Sequence, residues 1–253
     1  MKIKKILVSQ PKPDSAKSPY FEIAEQYGIE MVFRPFIKVE DLPVKEFRKQ
    51  KINLADYTAV IFTAKTAADN FFRLAEETRV HIPDTLKYFC TSESVANYLQ
   101  KYIIYRKRKI FFGNTGKLAD QKLMEHITKH NKEKFLLPVS GNSQKDVTTL
   151  DNLGINYTKA VMYNTVTNDF APDEPLDYDV LIFFSPTGIQ SLMKNFPDFD
   201  QDKRPVYIGC FGAHTAKAVR EAGLRLDIEA PTERNHSMAA ALKAWLKQME
   251  GKK

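Results

Sequence analysis

Small residues, many of them with hydroxyl groups, follow several apolar runs of this chain where a helix-like pattern begins. Four such junctions lie at 63–66, 91–94, 185–188 and 212–215. Serine and threonine are ordinary helix N-caps, worth about 1 kcal/mol each, so capping alone explains any single junction. The free N–H groups at a helix start also attract carboxylates and phosphates. Several such starts at one sheet edge therefore predict a site for a ligand with several anionic groups.

Two further loops extend this series. Residues 140–143 (SGNS) follow an apolar run, and Ser9 with Gln10 occupies the corresponding place earlier in the chain. We predict that both are junctions of the same kind. His214 lies within one of the first four, where an imidazole can act as an acid or a base. A peripheral hydrogen-bonding role is the favoured interpretation for this histidine.

Tyr163 ends an apolar run and has two interpretations. It is either a core or hinge tyrosine, or a tyrosine that lies in a ligand cleft. A phenol has an unperturbed pKa of about 10 and stays protonated at neutral pH. Such a group can donate a proton to a departing hydroxyl. The residues alone leave both interpretations open.

Other familiar chemistries lack their motifs. The chain has no G-x-G-x-x-G after a strand-like run, no Walker loop and no G-x-S-x-G elbow. Motifs for dinucleotide, nucleotide and serine-hydrolase sites are therefore absent. His126 and His130 have the spacing of a two-ligand metal face, but no third ligand lies near them in the sequence. An exposed helix surface is the favoured interpretation, and we expect no metal.

The elements that must position these residues occur twice in the chain. Residues 56–66 (DYTAVIFTAKT) match 177–187 (DYDVLIFFSPT) at five identical positions, and each copy ends in one of the junctions. Residues 4–36 and 134–163 form a second pair, each typical of a strand, a loop, a helix, a glycine and a strand. The chain thus has four blocks, which we call A (from 4), B (from 56), A′ (from 134) and B′ (from 177).

Strand-like and helix-like runs alternate throughout, which predicts an α/β protein with parallel sheets. In A and A′ the glycines Gly28 and Gly154 are expected to end a helix. The helices of B and B′ are predicted at 65–77, 92–102, 116–130, 187–195, 213–222 and 236–249. Their strands are predicted at 59–63, 87–90, 109–112, 180–184, 206–211 and 225–228. Periodicity does not decide whether A shares a sheet with B or with B′.

The net charge of +7 suits a polyanionic ligand, because it raises the ligand's concentration near the protein. Part of this charge lies in 101–109 (KYIIYRKRK), which is typical either of a nucleic-acid contact or of an edge strand flanked by cations. The edge strand is the favoured interpretation, because no nucleic-acid-binding motif accompanies the run.

Cys90 and Cys210 each lie in an apolar segment, so we expect two reduced thiols in the core, as in cytosolic proteins. No apolar run approaches the roughly 20 residues that span a bilayer, and the N-terminus lacks a signal-peptide pattern. We therefore expect a cytoplasmic protein without a membrane contact. No feature demands more than a monomer.

Six segments follow one another along the chain, which are VIFTAKTAADNFF, LLPVSGN, VMYNT, LIFFSPTGIQSL, GAHTAKAVREAGL and APTERNHSMAAAL. Taken in this order, they resemble the uroporphyrinogen-III synthase family. The resemblance covers nearly the whole chain. It implies two flavodoxin-like α/β lobes with parallel sheets, joined by a two-stranded β linker. One lobe is discontinuous and combines 1–35 with 168–253, so that A joins B′. The other lobe, 39–164, is inserted and joins B with A′, with linkers near 35–39 and 164–168.

The resemblance also implies an activity, which is the cyclisation of the linear tetrapyrrole hydroxymethylbilane to uroporphyrinogen III in haem biosynthesis. Water is lost, ring D is inverted, and this lyase reaction uses no cofactor or metal. The implied partners are this polycarboxylate substrate and, transiently, hydroxymethylbilane synthase. The alternative is a two-lobed module that binds a small polyanion without catalysis. A nucleic-acid binder is the third interpretation.

Site residues follow from the resemblance by position. Tyr163 matches the tyrosine proposed to assist departure of the hydroxyl. Substrate binding is implied for Ser9, Thr63, Ala64, Lys65, Ser94, Ser140, Ser185, Thr187, Gly188 and Thr215. The chain departs from the family pattern at Ser9 and Gln10, where Thr-Arg is common, and at Lys65, where asparagine is commoner. It also lacks the usual glycine at 91–94.

Overall fold

Most strands of the described residues are separated by helices, and the exceptions are the two points where one strand follows another directly. A computed structural model describes residues 2–13, 15–141, 146–171 and 174–251. The strands are β1 (Lys5–Val8), β2 (Glu30–Phe33), β3 (Ile37–Asp41), β4 (Ala59–Phe62), β5 (Lys87–Cys90), β6 (Ile110–Phe112), β7 (Phe135–Ser140), β8 (Tyr157–Thr167), β9 (Val180–Phe183), β10 (Tyr207–Phe211) and β11 (Ile228–Ala230). The α-helices are α1 (Pro19–Tyr27), α2 (Val44–Lys49), α3 (Lys65–Glu77), α4 (Glu93–Tyr98), α5 (Gln121–Lys129), α6 (Thr148–Asn152), α7 (Pro186–Asn195), α8 (Ala213–Glu221) and α9 (Met238–Glu250). The predicted α/β class is confirmed.

The first sheet has five strands in the order β2-β1-β9-β10-β11, and all neighbouring strands are parallel. Numbered by their place in the chain, these strands follow the order 2-1-3-4-5 of flavodoxin-like folds. They come from blocks A and B′. The strand order changes direction between β1 and β9. Ligands of such sheets bind between the loops that follow these two strands, and we call this position the crevice.

The second sheet has six strands in the order β3-β8-β7-β4-β5-β6. From β8 to β6 all neighbouring strands are parallel, and they come from blocks A′ and B. In this sheet A′ and B lie side by side in the same way as A and B′ in the first sheet. Along the chain, however, B precedes A′, whereas A precedes B′. The strand order changes direction between β7 and β4. The pairing that the repeats left open is therefore A with B′, and B with A′.

An additional strand, β3, pairs with β8 at the edge of the second sheet. Backbone hydrogen bonds at the two ends of this pair run from Leu42 N–H to Met162 O (3.1 Å) and from Asn168 N–H to Phe36 O (2.9 Å). Residue numbers rise along one strand while they fall along the other. This pair is therefore antiparallel.

The chain divides into two compact units, Met1–Lys38 with Val166–Lys253, and Val39–Thr165. We call them the discontinuous unit and the inserted unit. Each unit contains one of the two parallel sheets. The chain passes from the discontinuous unit to the inserted unit within β3 and returns within β8. The independent folding of each predicted domain stays a prediction.

Both parallel sheets are buried on both faces, as is usual for such sheets. In the discontinuous unit Ile182 and Leu181 belong to separate core clusters, and in the inserted unit Val60 and Ile61 do so. Successive side chains point to opposite faces of a strand, so a continuous apolar run fits a strand that is covered twice. The repeated runs AVIF and VLIF are buried at every residue and form the central strands β4 and β9.

Most of the predicted elements are confirmed. Gly28 and Gly154 follow α1 and α6 with φ of +60° and +62°, a left-handed conformation that favours glycine. The helices predicted at 65–77, 187–195, 213–222 and 236–249 are α3, α7, α8 and α9, with ends that differ by no more than two residues. The helix predicted at 92–102 is α4 followed by a 3-10 turn. No helix among the described residues has the length and apolar composition needed to span a bilayer.

α5 begins at Gln121, later than the predicted start at 116. The reason is Asp120, whose carboxylate caps the helix by accepting the Leu123 N–H at 3.0 Å. The same carboxylate accepts the N–H groups of Asn114 and Thr115 at 3.1 and 2.9 Å. One side chain thus holds the preceding loop out of the helix and starts the helix after it.

β11 also begins later than predicted, at Ile228 instead of 225. Gln201 explains this difference, because its side chain both accepts the Arg225 N–H (2.7 Å) and donates to Arg225 O (3.2 Å). The backbone at this position is bonded to a side chain, so the ladder with β10 begins only beyond it.

The basic run 101–109 leads into β6, which is an edge strand of the second sheet. Residues 106–109 form a turn directly before it, in which the Lys109 N–H donates to Arg106 O at 2.9 Å. The edge-strand interpretation is therefore confirmed. Cations at such a position discourage pairing with another chain.

Candidate functional site

Two predicted site residues lie at the crevice of the discontinuous unit. Ser9 follows β1, its side chain is buried, and its N–H donates to Ile182 O in β9 at 2.9 Å. Ser185 follows β9 and caps α7, because its Oγ accepts the Gly188 N–H at 3.1 Å. A Cβ atom at Gly188 would lie 3.2 Å from the Phe183 ring, so a larger residue would require this ring to shift slightly. Ser9 and Ser185 thus begin the two loops that flank the change in strand order.

α7 and α8 begin at this same edge of the first sheet. Thr187 lies half-buried in the first turn of α7, and Thr215 lies buried in the first turn of α8. Gly212 precedes α8 with a φ of +94° and offers no side-chain cap. His214 is exposed. The N–H groups of the first turn of α8 are therefore available to an anion.

In the inserted unit the start of α3 also lacks a side-chain cap. Ala64 occupies the cap position directly after Thr63 and has no side-chain oxygen to offer. Lys65 is exposed, with its ammonium group 5.4 Å from the centre of the Tyr98 ring. A cation beside the free N–H groups of a helix start increases the attraction for an anion. This junction is therefore the most positive of the predicted ones in the inserted unit.

Thr91 is not among the predicted site residues, but it links two of these loops. Its buried side chain donates a hydrogen bond from Oγ1 to Thr63 O at 3.3 Å. Ser92 caps α4 by accepting the Val95 N–H at 3.4 Å, whereas the predicted Ser94 is exposed within that helix. The signal for Thr91 is its place directly after the last apolar residue of β5, which puts it at the carboxyl edge of the sheet.

Ser140 and Tyr163 are paired across β7 and β8. The Gly141 N–H donates to Tyr163 O at 2.9 Å, and the Thr165 N–H donates to Ser140 Oγ at 3.1 Å. A bulge in β8 at this point interrupts the alternation of side chains. As a result, the consecutive residues Met162 and Tyr163 both belong to the same core cluster.

Tyr163 is only 5% exposed, and burial raises the pKa of its phenol. Its hydroxyl makes no hydrogen bond to another residue within the described part of the chain. The group therefore stays protonated at neutral pH and has an O–H available for donation. Tyr163 therefore packs in the core, and its place in a ligand cleft stays a prediction.

The predicted junction at Ser9 does not open a helix, because α1 begins only at Pro19. The intervening loop contains Pro11 and Pro13, and the residue before a proline is pushed towards an extended conformation. Ser9 therefore contributes to the sheet edge as a loop residue, without helix N–H groups beside it.

At Ser140, likewise, no described helix begins directly after the strand. Ser140 is the last residue of β7, and the next described helix begins at Thr148. Its hydroxyl is engaged by the neighbouring strand and not by a helix. Asn142 and Ser143, the remainder of this predicted junction, lie outside the described residues.

Comparison with known proteins decides which family these features belong to. A family model described as uroporphyrinogen-III synthase HemD matches residues 18–240. The chain belongs to the uroporphyrinogen-III synthase family. The family consists of cyclising enzymes of tetrapyrrole synthesis, so the chain is placed in haem biosynthesis.

Solved structures of uroporphyrinogen III synthase resemble the chain at low sequence identity. A mutant enzyme from the extremely thermophilic bacterium Thermus thermophilus is 18% identical and matches with a TM-score of 0.50, over 97% of this chain and 99% of that chain. This likeness supports the fold. Another Thermus thermophilus uroporphyrinogen III synthase structure, also 18% identical, covers 96% of this chain and 99% of its own with a TM-score of 0.41. None of the curated proteins compared with the chain matches it.

In this member of the uroporphyrinogen-III synthase family, Arg34 is a cation that the predicted site residues omit. Its N–H donates to Val8 O at 3.0 Å, directly before Ser9. The guanidinium group lies 3.7 Å from the centre of the Phe170 ring and pairs with the Glu174 carboxylate. Its Nη2 atom is buried beside that carboxylate without the orientation of a hydrogen bond. The signal in the sequence is a cation directly after the apolar run of β2.

The histidine pair of α5 has a packing role. The rings of His126 and His130 lie 5.2 and 4.6 Å from the ring of Phe111, between ring centres. Burial, followed by the charges of Lys122 and Lys129, lowers the pKa of His126. The predicted exposed surface was therefore wrong for these two side chains. The described residues hold no group of three or more His, Cys, Asp or Glu side chains placed to bind a metal ion.

Both cysteines are buried and free, as predicted. Burial raises the pKa of Cys90 to about 12 and that of Cys210 to about 11. The thiolate is the reactive form of cysteine. Neither side chain is therefore suited to act as a nucleophile at neutral pH.

Proposed function

We propose that this protein is a uroporphyrinogen-III synthase, which cyclises hydroxymethylbilane to uroporphyrinogen III. The observation that carries the proposal is the family match over 18–240, a range that includes every predicted site residue except Ser9. The hydroxyl-rich sheet edges, with the exposed Lys65 at one of them, support it further.

In the proposed reaction one C–O bond of the substrate breaks and a new C–C bond closes the macrocycle. The hydroxyl of the terminal hydroxymethyl group takes up a proton and leaves as water, and the adjacent pyrrole stabilises the resulting azafulvene-type cation. The substituted carbon of ring D attacks this cation and gives a spiro intermediate. The older bond to ring D then breaks, the ring turns over and closes at its other carbon, and a proton is released. One proton is taken up and one is lost, so no redox partner is required.

Substrate binding in this proposal depends on donors to carboxylates, because every pyrrole of the substrate carries an acetate and a propionate. The starts of α3 and α8 offer N–H groups without a side-chain cap. Lys65 adds a cation in the inserted unit, whereas the charge of Arg34 is already paired with Glu174. One helix start stabilises an anion by about 0.3–1 kcal/mol. Several starts are therefore needed to hold a flexible polycarboxylate.

Tyr163 is the proposed donor to the departing hydroxyl. Its free O–H supports this role, and its raised pKa defines how it would act. A weaker acid gives up its proton only when the acceptor becomes strongly basic, which happens as the C–O bond of the substrate breaks. We therefore propose hydrogen-bond donation first and proton transfer during bond cleavage.

The proposal is tested by the isomer that the enzyme produces. Purified protein is coupled to hydroxymethylbilane synthase, and the uroporphyrinogen formed is oxidised and separated by chromatography. We expect the type III isomer, because the uncatalysed ring closure does not invert ring D and gives type I. Type I alone would contradict the proposal and would favour a module that binds a polyanion without catalysis.

We also propose the setting in which this reaction takes place. The protein would act as a cytoplasmic monomer without a cofactor and would receive its unstable substrate in a transient contact with hydroxymethylbilane synthase. Sedimentation of the two proteins, separately and mixed, measures both the oligomeric state and that contact.

A further inference from the structure

A cavity of about 420 Å³ lies within the inserted unit, away from the junctions described above. Tyr88, near the start of β5, and Ile110, the first residue of β6, line it. The cavity therefore opens at the amino-terminal edge of these strands, whereas Thr91 marks their carboxyl-terminal edge. Its volume is within the range of sites for small molecules.

Part of the wall of this cavity is aromatic. The rings of Phe72 and Tyr102 are stacked, with centres 4.4 Å apart and planes 13° apart, and the Tyr88 ring lies 6.4 Å from that of Phe72. The Tyr102 hydroxyl donates to the Asp69 carboxylate, which fixes the orientation of that ring. Ile104 lines the same cavity and is 80% exposed, an unusual state for a large aliphatic side chain.

The charged side chains of the cavity favour an anion. Arg106 and Lys109 both line it, and neither makes an ion pair or a side-chain hydrogen bond with another residue in the described ranges. Asp84 also lines the cavity and offsets one of these two positive charges. His81 adds a ring at the same opening. One positive charge is therefore left uncompensated beside an aromatic surface.

We propose that this cavity binds a small aromatic monoanion, with its ring system against Phe72, Tyr88 and Tyr102 and its anionic group at Arg106 and Lys109. Aromatic pairs add about 0.5–1.5 kcal/mol beyond the burial of their area, so an existing group of three rings favours a fourth. The Tyr88 hydroxyl makes no hydrogen bond to a described residue and is a third donor for the anionic group. Burial, then the charge of Asp84, raises the pKa of Tyr88 to about 12, so this donor keeps its proton.

The test uses 8-anilinonaphthalene-1-sulfonate, an aromatic monoanion, as the probe and isothermal titration calorimetry of the full chain as the measurement. The double variant Arg106→Gln/Lys109→Gln is expected to weaken binding about tenfold, since two charge contacts with the probe are lost. The matched control is Lys107→Gln/Arg108→Gln, which removes the same charge from the same segment. Neither of its residues lines the cavity. This control is expected to bind the probe within about twofold of the unmodified protein.

Equal weakening in the two double variants would overturn the proposal, because it would assign the attraction to the basic segment as a whole. Such a result would favour a diffuse polyanion contact, including one to nucleic acid. Unchanged binding in both variants would also overturn it, since the probe would then occupy another place. As a second variant, Ile104→Glu puts a carboxylate at the opening, and its exposed position leaves the fold intact, which circular dichroism checks. It is expected to weaken binding of the probe, and unchanged affinity would count against the cavity.

This proposal does not rest on the proposed synthase activity. The variants Arg106→Gln/Lys109→Gln and Ile104→Glu are expected to form the type III isomer as the unmodified protein does. Loss of probe binding with an unchanged isomer yield is therefore the result that supports a separate site.

Discussion

The orientation of Tyr163 depends on one extra residue in β8. Without the bulge opposite the end of β7, strict alternation would turn its side chain to the other face of the sheet from Met162. The bulge instead places both residues in one core cluster, at the level of Ser140. The sequence places Tyr163 at the end of an apolar run, but it carries no sign of the bulge. The residues alone therefore left its role open, and the family resemblance implied the catalytic one.

The phenol of Tyr163 can be tested by removing its oxygen alone. Tyr163→Phe is expected to lower kcat for type III formation by about a hundredfold, the lower range for a positioned acid, with little change in KM. Tyr57→Phe is the matched control, because Tyr57 is 6% exposed in the same cluster but lies before the start of β4. Its kcat is expected to stay unchanged. Equal kcat values for the two variants would remove Tyr163 from the mechanism.

At the scale of elements, a single capping residue sets the start of some helices, and contacts beyond the cap set the start of others. Ser185 caps α7 by binding the N–H of Gly188, three residues later, and this spacing can be recognised in the sequence. The start of α5 is different, because Asp120 also binds N–H groups in the preceding loop, at Asn114 and Thr115. Thr91 and Arg34 are similar cases. Both follow apolar runs, but their partners became evident only in the folded chain.

Removal of a helix cap allows the effect of Ser185 on stability to be measured separately from its effect on substrate binding. Ser185→Ala removes the oxygen that accepts the Gly188 N–H, and Ser237→Ala removes the equivalent cap of α9, where Ser237 accepts the Ala240 N–H at 3.2 Å. Each change is expected to lower the free energy of unfolding by about 1 kcal/mol. Only Ser185→Ala is expected to raise KM for hydroxymethylbilane, because α9 follows the edge strand β11, away from the crevice. Similar KM values for both variants would contradict a binding role for Ser185.

Asp120 makes the stability of the inserted unit depend on pH. Burial alone would raise the pKa of this carboxyl, but the Leu123 N–H and the donors of Thr115 and Asn114 lower it to about 2. The unfolded value is about 3.9, so the folded pKa is the lower one. The ionised carboxylate therefore stabilises the fold above about pH 4, and this contribution is lost as the pH falls towards about 2.

Asp120→Asn tests this contribution. An amide would turn an NH₂ group towards backbone donors, which costs about 1–3 kcal/mol for the unmet hydrogen bonds. We expect the variant to be less stable than the unmodified protein at pH 7, with a difference that shrinks at pH 3, as measured by urea unfolding. Asp198→Asn is the control, since Asp198 is exposed and makes no hydrogen bond to a described residue. A difference of the same size at both pH values would contradict this account.

At the scale of the whole molecule, the repeats predicted the strands and helices but not their partners. The runs of β4 and β9 are recognisable because each is apolar at every position, as a central strand requires. Parallel strands pair with segments far away in the chain, and hydrophobic periodicity carries no record of such a partner. The choice of A with B′ therefore came from the family resemblance and is decided by the observed strand order.

The two predicted domains are expected to fold separately. The inserted unit, Val39–Thr165, contains every strand of its parallel sheet and the helices that cover it. For the discontinuous unit, a short Gly-Ser linker between Lys38 and Val166 would replace the insertion. Cooperative urea unfolding of both proteins, followed by circular dichroism, is the expected result. A random-coil spectrum for either one would contradict the domain assignment.

The antiparallel pair of β3 and β8 also has a consequence for the order of folding. Its hydrogen bonds place Lys38 opposite Val166, where the chain leaves the discontinuous unit and returns to it. While the inserted unit is unfolded, it is one long loop, whose closure entropy grows with the logarithm of its length. Each doubling of the loop length costs about 0.6 kcal/mol. If the insertion folds first, the entropic cost of closing the discontinuous unit is therefore lower by about 3 kcal/mol.

Trp245 allows this order to be measured, because it is the only tryptophan of the chain and lies in α9 of the discontinuous unit. Its fluorescence during refolding therefore follows that unit alone. Phe71→Ala removes a fully buried ring from the inserted unit, at a cost of about 3–5 kcal/mol. We expect this distant change to slow the refolding phase seen by Trp245. An unchanged rate would mean that the two units close independently, and the chain would then gain no kinetic advantage from folding its insertion first.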